Sequence, residues 1–301
     1  MKTTQSGVLL IDKPTGPSSA QVVQRVKSLL GAKKVGHLGT LDPFASGLLL
    51  VGVNEGTKIA DIFLRGSKSY RGVMALGVET DSQDSTGKVI HTRPVGAVGE
   101  AELARLERQF TGELKQVPPM FSALKRDGVR LYQLARQGKE VPREPRSIRI
   151  DALALRPLGA TEIEFEVTCS RGTYVRTLAA DMGHELGCGA HLKSLRRTAC
   201  DHLSVDQAVT PEELAKRCAG GAAPLLALRA ALGHLPAVEW RSQWIVRLRL
   251  GQQEVLAQIG RPRPGEKLIG ILDARGALVA LAEWADDVAP GRWRLVRIFK
   301  E

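Results

Sequence analysis

The stretch GHLGTLDPFASGLLLVGV, Gly36–Val53, joins a loop rich in glycine and proline to a continuous apolar run. The run Gly47–Val53 is apolar at successive positions, which predicts a strand buried on both faces of a sheet. Asp42 is the carboxylate of this stretch and lies in the loop just ahead of that strand. Loops held at strand ends by rigid elements often carry catalytic groups. A structural turn aspartate is the alternative, and the pattern alone leaves both interpretations open.

The segments on either side of this stretch indicate mixed α and β structure. GVLLI, Gly7–Ile11, reads as a buried strand, and the alternating TEIEFEVTC, Thr161–Cys169, reads as a half-buried one. Between them, Ser18 or Ser19 can cap a helix that ends at Gly31. Further predicted elements are a strand at 70–78, helices at 55–64, 100–110 and 131–137, and a helix from near Tyr174 to Gly187.

The last part of the chain has a different pattern. Cys218–Leu232 is rich in Ala, Gly and Leu and connects the large part of the chain to the rest. Beyond His234, turns rich in Gly, Pro and Asp separate four predicted short strands, WIVRLRL, KLIGILD, ALVALAEW and RWRLVRIF. Such spacing predicts a small β-barrel or sandwich.

Charge favours an anionic partner. The chain has 43 Lys and Arg against 32 Asp and Glu, a formal net charge of +11 and a pI near 9.7. Nucleic acid is the first expectation for such a balance and a membrane surface the second. The segment Lys125–Arg149 holds eight Lys and Arg against three Asp and Glu, which suggests a solvated basic arm. We find neither a membrane-spanning run nor a signal peptide in the pattern, and therefore expect a cytoplasmic protein.

Several other motifs are incomplete. The four cysteines form no C-x-x-C pair, so we expect reduced thiols. Gly31–Gly36 has the glycine spacing of a phosphate-binding loop, but His37-Leu38 stands where Lys-Ser/Thr is required. Two sets have part of the spacing of metal ligands without completing it: His184 with Cys188 and His191, and Asp81 with Asp84 and Gly87. We therefore expect neither a metal nor a nucleotide cofactor.

GHLGTLDPFASGLL resembles the catalytic loop of the bacterial TruB-type tRNA pseudouridine-55 synthases. Other segments resemble the family's Lys-Pro motif, its tyrosine strand with an acidic turn, its RNA-contacting insertion, and the strand, helix and loop that close its site. In chain order these are GVLLIDKPTGPSS, KSYRGVMALGVETDSQDSTG, VPPMFSALKRDGVRLYQLARQGKEVPREPR and CSRGTYVRTLAADMGHELGCGAHLKSLRR. Val238–Phe299 looks like the family's PUA-type barrel, by position and strand pattern.

The resemblance implies that uridine 55 in the tRNA T-loop is isomerised to pseudouridine. The N1–C1′ bond breaks, the uracil turns over, and C5 bonds to C1′, so neither a redox step nor net hydrolysis occurs and no cofactor is needed. By this match Asp42 is the catalytic carboxylate, which either attacks C1′ or removes the C2′ proton. Arg176 is then the partner that keeps the carboxylate ionised.

The resemblance also assigns the substrate contacts. A flipped uridine loses its stacking in the RNA, and an aromatic ring can replace it. Tyr70 would stack on the uracil, Tyr174 would line the pocket, and His37 would contact the flipped nucleotide or fill the space it leaves. Leu195 would form an apolar wall, and Lys13 and Pro14 would shape the pocket floor. The expected contacts to the RNA backbone are Lys125, Arg126, Arg130, Arg136, Arg143, Arg196 and Arg197.

The implied fold is α+β, with a mixed, largely antiparallel central sheet of the pseudouridine synthase type and a small C-terminal PUA-like β-barrel. We expect a catalytic domain at 1–232, with the basic insertion at about 123–149, and an RNA-binding domain at 234–301. We expect a monomer that acts on tRNA without a protein partner. Two alternatives are a non-catalytic tRNA-binding or folding chaperone, and a related synthase that acts on ribosomal RNA or in an H/ACA-guided complex.

Overall fold

The structure is a computed structural model that describes residues 3–287 and 291–300. Its strands are Gly7–Lys13 (β1), Val35–His37 (β2), Ser46–Val53 (β3), Lys68–Leu76 (β4), Val78–Thr80 (β5), Val89–Thr92 (β6), Gly112–Gln116 (β7), Lys125–Arg126 (β8), Val129–Arg130 (β9), Arg146–Pro157 (β10), Glu162–Cys169 (β11), Ala190–Cys200 (β12), Leu203–Ser204 (β13), Ala237–Glu239 (β14), Leu268–Leu272 (β15), Leu278–Ala285 (β16) and Arg292–Ile298 (β17).

The α-helices are Ser19–Leu30 (α1), Ala60–Arg65 (α2), Glu100–Gln109 (α3), Leu131–Arg136 (α4), Val175–Glu185 (α5), Pro211–Ala219 (α6), Leu228–Ala231 (α7) and Ser242–Arg249 (α8). Short 3₁₀ helices lie at Asn54–Ile59, Val205–Gln207 and Gln253–Ile259. Within the described residues, none of these helices has the length and apolar character needed to cross a membrane.

A nine-stranded sheet forms the centre of the molecule, with the strand order β1-β3-β12-β4-β11-β10-β7. β2 pairs with β3, and β13 pairs with β12, outside this path. The β3–β12 pair is parallel and the other pairs of the sheet are antiparallel. The expected mixed, largely antiparallel sheet is therefore present, and the parallel pair places Gly47, just after the Asp42 loop, beside Arg197.

Alternate residues of the buried strands enter two different cores. Leu9 and Ile11 of β1 belong to the core beneath α1, α3, α5 and α6. Val8 and Leu10 of the same strand belong to a second core, which α2 and the C-terminal sheet cover. Because successive strand side chains point to opposite faces, a strand buried on both sides must be apolar at every position. This explains the uninterrupted apolar run of β3, which is buried from Gly47 to Val53.

The capping residues in the sequence correctly predict where α1 begins and ends. Ser18 accepts a hydrogen bond from the Gln21 backbone N–H, and the Gln21 side chain accepts from the Ser18 N–H, which completes a capping box. Gly31 ends the helix with φ +57°, a left-handed conformation in which glycine is least strained. Ser18 is thus the cap, and Ser19 is free to make a different contact.

Two expectations are wrong, one from the pattern and one from the resemblance. WIVRLRL is the helix α8 rather than a strand, because Ile245 and Leu248, three residues apart, form its buried face. The segment HLKSLRR, expected in a loop that closes the site, lies in the central strand β12. The 55–64 segment is helical, although its first part is the 3₁₀ helix Asn54–Ile59.

The C-terminal part contains the four-stranded sheet β14-β15-β16-β17 together with α8 and the 3₁₀ helix Gln253–Ile259. Among the described residues of this part, the paired strands form this one four-stranded sheet. The predicted PUA-like barrel is therefore not confirmed. Leu278, Leu281 and Phe299 of this part pack into the same core as Ile59 and Phe63. This part therefore shares a core with the large sheet.

Candidate active site

Asp42 lies on a loop that the protein holds from several directions. Leu41 and Ala45 are buried on either side of it, whereas the Asp42 side chain is 41% exposed. Ser19, buried at the start of α1, donates to the Leu41 carbonyl and accepts from the Leu41 N–H, both at 2.8 Å. The flanking apolar residues thus face the core, and the carboxylate faces out.

Lys13 holds the same loop from β1. Its side chain is fully buried, and its Nζ donates to the carbonyls of Pro14, Pro17 and Pro43 at 2.8, 2.9 and 3.3 Å. Burial lowers the pKa of Lys13 to about 8, the Asp42 charge acts to raise it, and the Arg197 charge acts to lower it further. Lys13 therefore fastens the Lys-Pro segment to the residue next to Asp42, while Pro14 itself is exposed.

Arg176 is the cation that faces Asp42. Its Nε donates to Asp42 Oδ2 at 2.9 Å, and its own side chain is 6% exposed. The other guanidinium nitrogens donate to the carbonyls of Ser82 and Phe121, both at 2.9 Å. A guanidinium with all three nitrogens engaged has a fixed orientation, so the carboxylate that it meets is fixed as well.

The structure also gives a role to the acidic turn, whose function the pattern leaves open. Asp84 is buried, and its Oδ2 lies 3.5 Å from Arg176 Nη1. Its Oδ1 accepts from Ser82 Oγ, from the Thr86 N–H and from Thr86 Oγ1 at 2.7, 3.0 and 2.6 Å. Asp84 is therefore a second carboxylate near the Arg176 guanidinium, and it orients Arg176 at Nη1 while Asp42 binds Nε. Asp81 instead closes the turn by accepting from the Lys88 N–H at 2.9 Å.

Gln83 joins this turn to the helix that carries Arg176. Its Oε1 accepts from Thr177 Oγ1 at 2.7 Å. Gln83 itself has φ +63°, a conformation that few non-glycine residues adopt. The sequence signal for this arrangement is the cluster DSQDSTG, but composition indicates no more than a turn.

Tyr70 and Arg197 are neighbours across the β4–β12 pair. Burial raises the pKa of Tyr70 to about 12, while the nearby Arg197 guanidinium acts to lower it. Tyr70 therefore keeps a neutral hydroxyl at physiological pH. Arg197 is itself buried, and its donors reach the loop that holds Asp42.

The remaining predicted pocket residues lie around the same loop. Asp42 and Arg176 are both near enough to Tyr174 to influence its pKa, which burial raises. Burial, followed by the charge of Arg197, lowers the pKa of His37, so its imidazole is neutral at pH 7. The buried His37 Nδ1 has no hydrogen-bond partner among the described residues.

A cleft of about 620 Å³ opens beside the Asp42 loop. Phe44 of the loop and Leu195 of β12 line it, together with Thr86 of the acidic turn. Arg71 and Lys193 also line it, each in an ion pair with a glutamate. The cleft thus combines an apolar wall with paired charges, a lining suited to a base with polar edges.

The residues predicted to contact the RNA backbone fall into different classes. Lys125, Arg126, Arg130 and Arg136 are exposed on the insertion, at β8, β9 and α4. Arg143 is partly buried, where it donates to the Pro118 carbonyl at 3.3 Å and to Glu140 at 2.8 Å. Lys125, Arg130 and Arg136 are available to phosphates, whereas Arg126, which donates to the Pro142 carbonyl, and Arg143 already hold the insertion together.

The two adjacent arginines of β12 differ more sharply. Arg196 forms a two-point ion pair with Asp12 at 2.9 and 2.7 Å and is still 42% exposed. Arg197 is 2% exposed, so the prediction that it contacts the RNA backbone is wrong. Alternation along the strand turns one guanidinium out to solvent and the other in beneath the loop.

Two histidines whose spacing resembles that of metal ligands make other contacts. His184 Nδ1 lies 3.6 Å from Glu79 Oε1, and His191 Nδ1 lies 2.9 Å from the Val78 carbonyl. Across residues 3–287 and 291–300, no three His, Cys, Asp or Glu side chains are grouped so that they could hold a metal ion.

Comparison with known proteins identifies the family. Residues 27–175 match the TruB family pseudouridylate synthase N-terminal domain, and residues 176–232 match the tRNA pseudouridylate synthase B C-terminal domain. A tRNA pseudouridine synthase B from Geobacter sulfurreducens is 43% identical, with 97% of this chain and 99% of that protein covered. One from Geotalea uraniireducens is 50% identical, with 76% of this chain and 74% of that protein covered.

Among solved structures, a Cbf5-Nop10-Gar1 complex shares the fold. The TM-score is 0.70 at 24% identity, and the match covers 98% of this chain and 84% of that one. The predicted pseudouridine synthase fold is therefore confirmed. The chain belongs to the TruB family of pseudouridylate synthases and is an isomerase.

Proposed function

We propose that this protein converts uridine 55 in the T-loop of tRNA to pseudouridine, with Asp42 as the catalytic carboxylate. The observation that carries the proposal is the Asp42–Arg176 pair, 2.9 Å apart, in which the carboxylate is partly exposed and the guanidinium is buried. Curated relatives named tRNA pseudouridine synthase B support tRNA as the substrate.

Asp42 acts at the sugar of the target nucleotide. It either attacks C1′ and forms a glycosyl ester, or removes the C2′ proton and leaves a glycal; in both routes the N1–C1′ bond breaks. The uracil then turns, C5 bonds to C1′, the proton on C5 is lost, and N1 gains a proton. Arg176 orients the carboxylate through its Nε, and Asp84 holds Arg176 in place.

The remaining site residues receive the flipped base. Tyr70 stacks on the uracil, which offsets part of the cost of unstacking, by about 1–3 kcal/mol. Leu195, which lines the cleft beside the Asp42 loop, forms an apolar wall for the base. We assign Tyr174 to the same pocket because Asp42 and Arg176 are near enough to influence its pKa. His37, neutral at pH 7, contacts the displaced nucleotide or fills its place. Lys13 and Pro14 shape the pocket from below through the Lys13 hydrogen bonds.

Affinity for tRNA comes mainly from positive charge outside the site. We assign phosphate contacts to Lys125, Arg130 and Arg136. Arg126, Arg143 and Arg196 also contact phosphates once they release the groups that they now bind. We further propose a catalytic domain at 1–232 and an RNA-binding domain at 234–301. We also propose that the protein is a monomer that acts in the cytoplasm without a protein partner.

The test replaces one carboxylate oxygen. Asp42→Asn should lower the rate of tritium release from [5-³H]uridine tRNA by at least about a thousandfold, because an amide neither attacks nor removes a proton. Its Kd for tRNA, from filter binding, should stay within a few-fold of the wild-type value. Chemical mapping should locate pseudouridine at position 55, and tRNA with cytidine at that position should give no product.

Asp151→Asn is the matched control. Asp151 also accepts from an arginine Nε, that of Arg149 at 2.8 Å, and its side chain is 37% exposed. This variant should release tritium at the wild-type rate. Near-normal release by Asp42→Asn would end the assignment, and binding without product by the wild-type protein would favour a chaperone.

A further inference from the structure

Arg197 is one of the largest fully buried side chains of the molecule. In the part of the chain that the structure describes, no carboxylate lies within ion-pair distance of it. A buried cation without a counter-ion is costly unless hydrogen bonds compensate for the water it has lost. The acceptors that Arg197 reaches therefore indicate what it does.

All three nitrogens of Arg197 donate to the Asp42 loop or to the start of β3, which follows it. Nε reaches the Leu48 carbonyl at 2.7 Å, and the two Nη atoms reach the carbonyls of Thr40 and Gly39 at 3.3 and 3.2 Å. Two of these carbonyls precede Asp42 and one follows it. The guanidinium therefore joins the two ends of the catalytic loop at its base.

The backbone of Arg197 fits the same loop closely. Gly47, its partner in the parallel β3–β12 pair, has φ +99°. A Cβ on Gly47 would lie 2.2 Å from the Arg197 carbonyl oxygen, so the approach requires glycine. The loop is thus held against Arg197 by its backbone as well as by its side chain.

Arg197 also faces the aromatic ring proposed to hold the base. It is paired in register with Tyr70 across β4 and β12, so the two side chains lie on the same face of the sheet, and its charge is near enough to act on the Tyr70 pKa. One side chain therefore contacts the loop of the proposed catalytic carboxylate and lies beside the residue whose ring is proposed to stack on the uracil.

We propose that Arg197 is a positioning residue that sets the distance between the Asp42 loop and the Tyr70 ring, and hence between the carboxylate and the stacked nucleoside. This inference rests on the roles proposed above for Asp42 and Tyr70. Arg197 touches no substrate. It acts on the chemical step through the placement of two other groups, and a misplacement of about 1 Å is enough to slow such a step about a hundredfold.

Lys68 provides a matched control for a purely structural role. It is also a buried cation of the central sheet, and its Nζ donates to the carbonyls of Phe63, Leu64 and Gly66 at 2.7, 3.1 and 2.5 Å. Those carbonyls lie at the end of α2 and just beyond it, not in the Asp42 loop. Replacing Lys68 removes the same kind of interaction without releasing Asp42.

The experiment compares Arg197→Lys, Arg197→Met and Lys68→Met. Arg197→Lys keeps the charge but has no fork that spans three carbonyls. Arg197→Met removes the unpaired buried charge and fills a similar volume, a replacement that buried ions often tolerate. For each variant, single-turnover tritium release at saturating tRNA gives the chemical rate, filter binding gives Kd, and urea titration gives stability.

We expect both Arg197 variants to lose about a hundredfold in single-turnover rate while Kd stays within threefold. Lys68→Met should lose stability yet keep its rate within twofold. Rates of the Arg197 variants within threefold of wild type would overturn the inference, as would a failure of both to fold or an equal slowing of Lys68→Met. Absence of tritium release from the wild-type protein would instead contradict the proposed function.

Discussion

Lys13 carries a positive charge beneath the loop that presents Asp42. Its three carbonyl acceptors lie at both ends of the Lys-Pro segment and beside Asp42. Burial is the main reason that its pKa falls to about 8, since a buried ammonium loses water that three carbonyl oxygens replace in part. At neutral pH the lysine is still charged, so a cationic side chain binds the loop that carries Asp42.

The lowered pKa predicts a pH dependence of stability. The unfolded chain has a Lys13 pKa near 10.5 and the folded chain one near 8. Between pH 8 and pH 10.5 the unfolded state binds more protons than the folded state. The free energy of unfolding therefore rises as the pH increases through this range. The wild-type value minus the Lys13→Met value should increase by about 2–3 kcal/mol from pH 7 to pH 10.

Urea titration of both proteins at several pH values measures that difference. Subtracting the variant removes the contributions of groups that titrate alike in both proteins. A difference that is the same at pH 7 and pH 10 would show that Lys13 is hydrated in the folded state.

At the scale of elements, Gln116 joins the end of β7 to the start of α5. It is 3% exposed, its Oε1 accepts from the Tyr174 N–H at 2.8 Å, and its Nε2 donates to the Tyr174 carbonyl at 3.2 Å. The helix that begins after Tyr174 carries Arg176, and the segment that leads into the basic insertion begins just after Gln116. Phe121 of this leading segment accepts from Arg176 as well. The insertion and the active-site helix are therefore connected twice.

This connection predicts that Gln116→Ala slows the reaction. The change leaves the Tyr174 N–H without a partner and removes one of the two hydrogen bonds to the Tyr174 carbonyl, which keeps the bond from the Leu178 N–H. The start of the helix is then less well fixed, so the kcat for pseudouridine formation should fall about ten- to a hundredfold. Gln207→Ala is the control, because the Gln207 side chain also accepts from a backbone N–H, that of Ser204, in an exposed cap. Equal kcat values for the two variants, by tritium release, would contradict a coupling through Tyr174.

At the scale of the whole molecule, the C-terminal sheet is fastened to the catalytic part. Phe299 is 3% exposed in the core that it shares with Ile59 and Phe63. Polar contacts surround this packing, because Lys58 Nζ donates to the Ile298 carbonyl at 2.9 Å and the Lys300 N–H donates to Glu55 at 2.8 Å. A shared apolar core favours joint unfolding over independent unfolding of the two parts.

Phe299→Ala should therefore lower the free energy of unfolding of the entire protein by about 3 kcal/mol. Leu250→Ala, in the same C-terminal part but 73% exposed, should change it by less than about 0.5 kcal/mol. Calorimetry should show one transition that moves to lower temperature in Phe299→Ala. A separate early transition in the wild-type protein would mean that the C-terminal part folds as an independent unit.

Much of the local structure can be predicted from short-range signals. The cap at Ser18, the stop at Gly31 and the uninterrupted apolar run of β3 each depend on neighbouring residues, and each lies where the pattern predicts it. The segment of α8 is ambiguous because WIVRLRL fits both a period of two and a helical spacing. Contact of Ile245 and Leu248 with the C-terminal core decides between them.

Residue identity and order along the chain establish the family, the placement of Asp42 ahead of a buried strand, and the pairing of Asp42 with Arg176 that the family match implies. Long-range packing decides that Arg196 is partly exposed and pairs with Asp12, and that Arg197 is buried beneath the catalytic loop. It also brings Asp84 behind Arg176. The reason is that strand register and burial depend on contacts between residues far apart in the chain, and two adjacent arginines carry no local signal of which one faces inward.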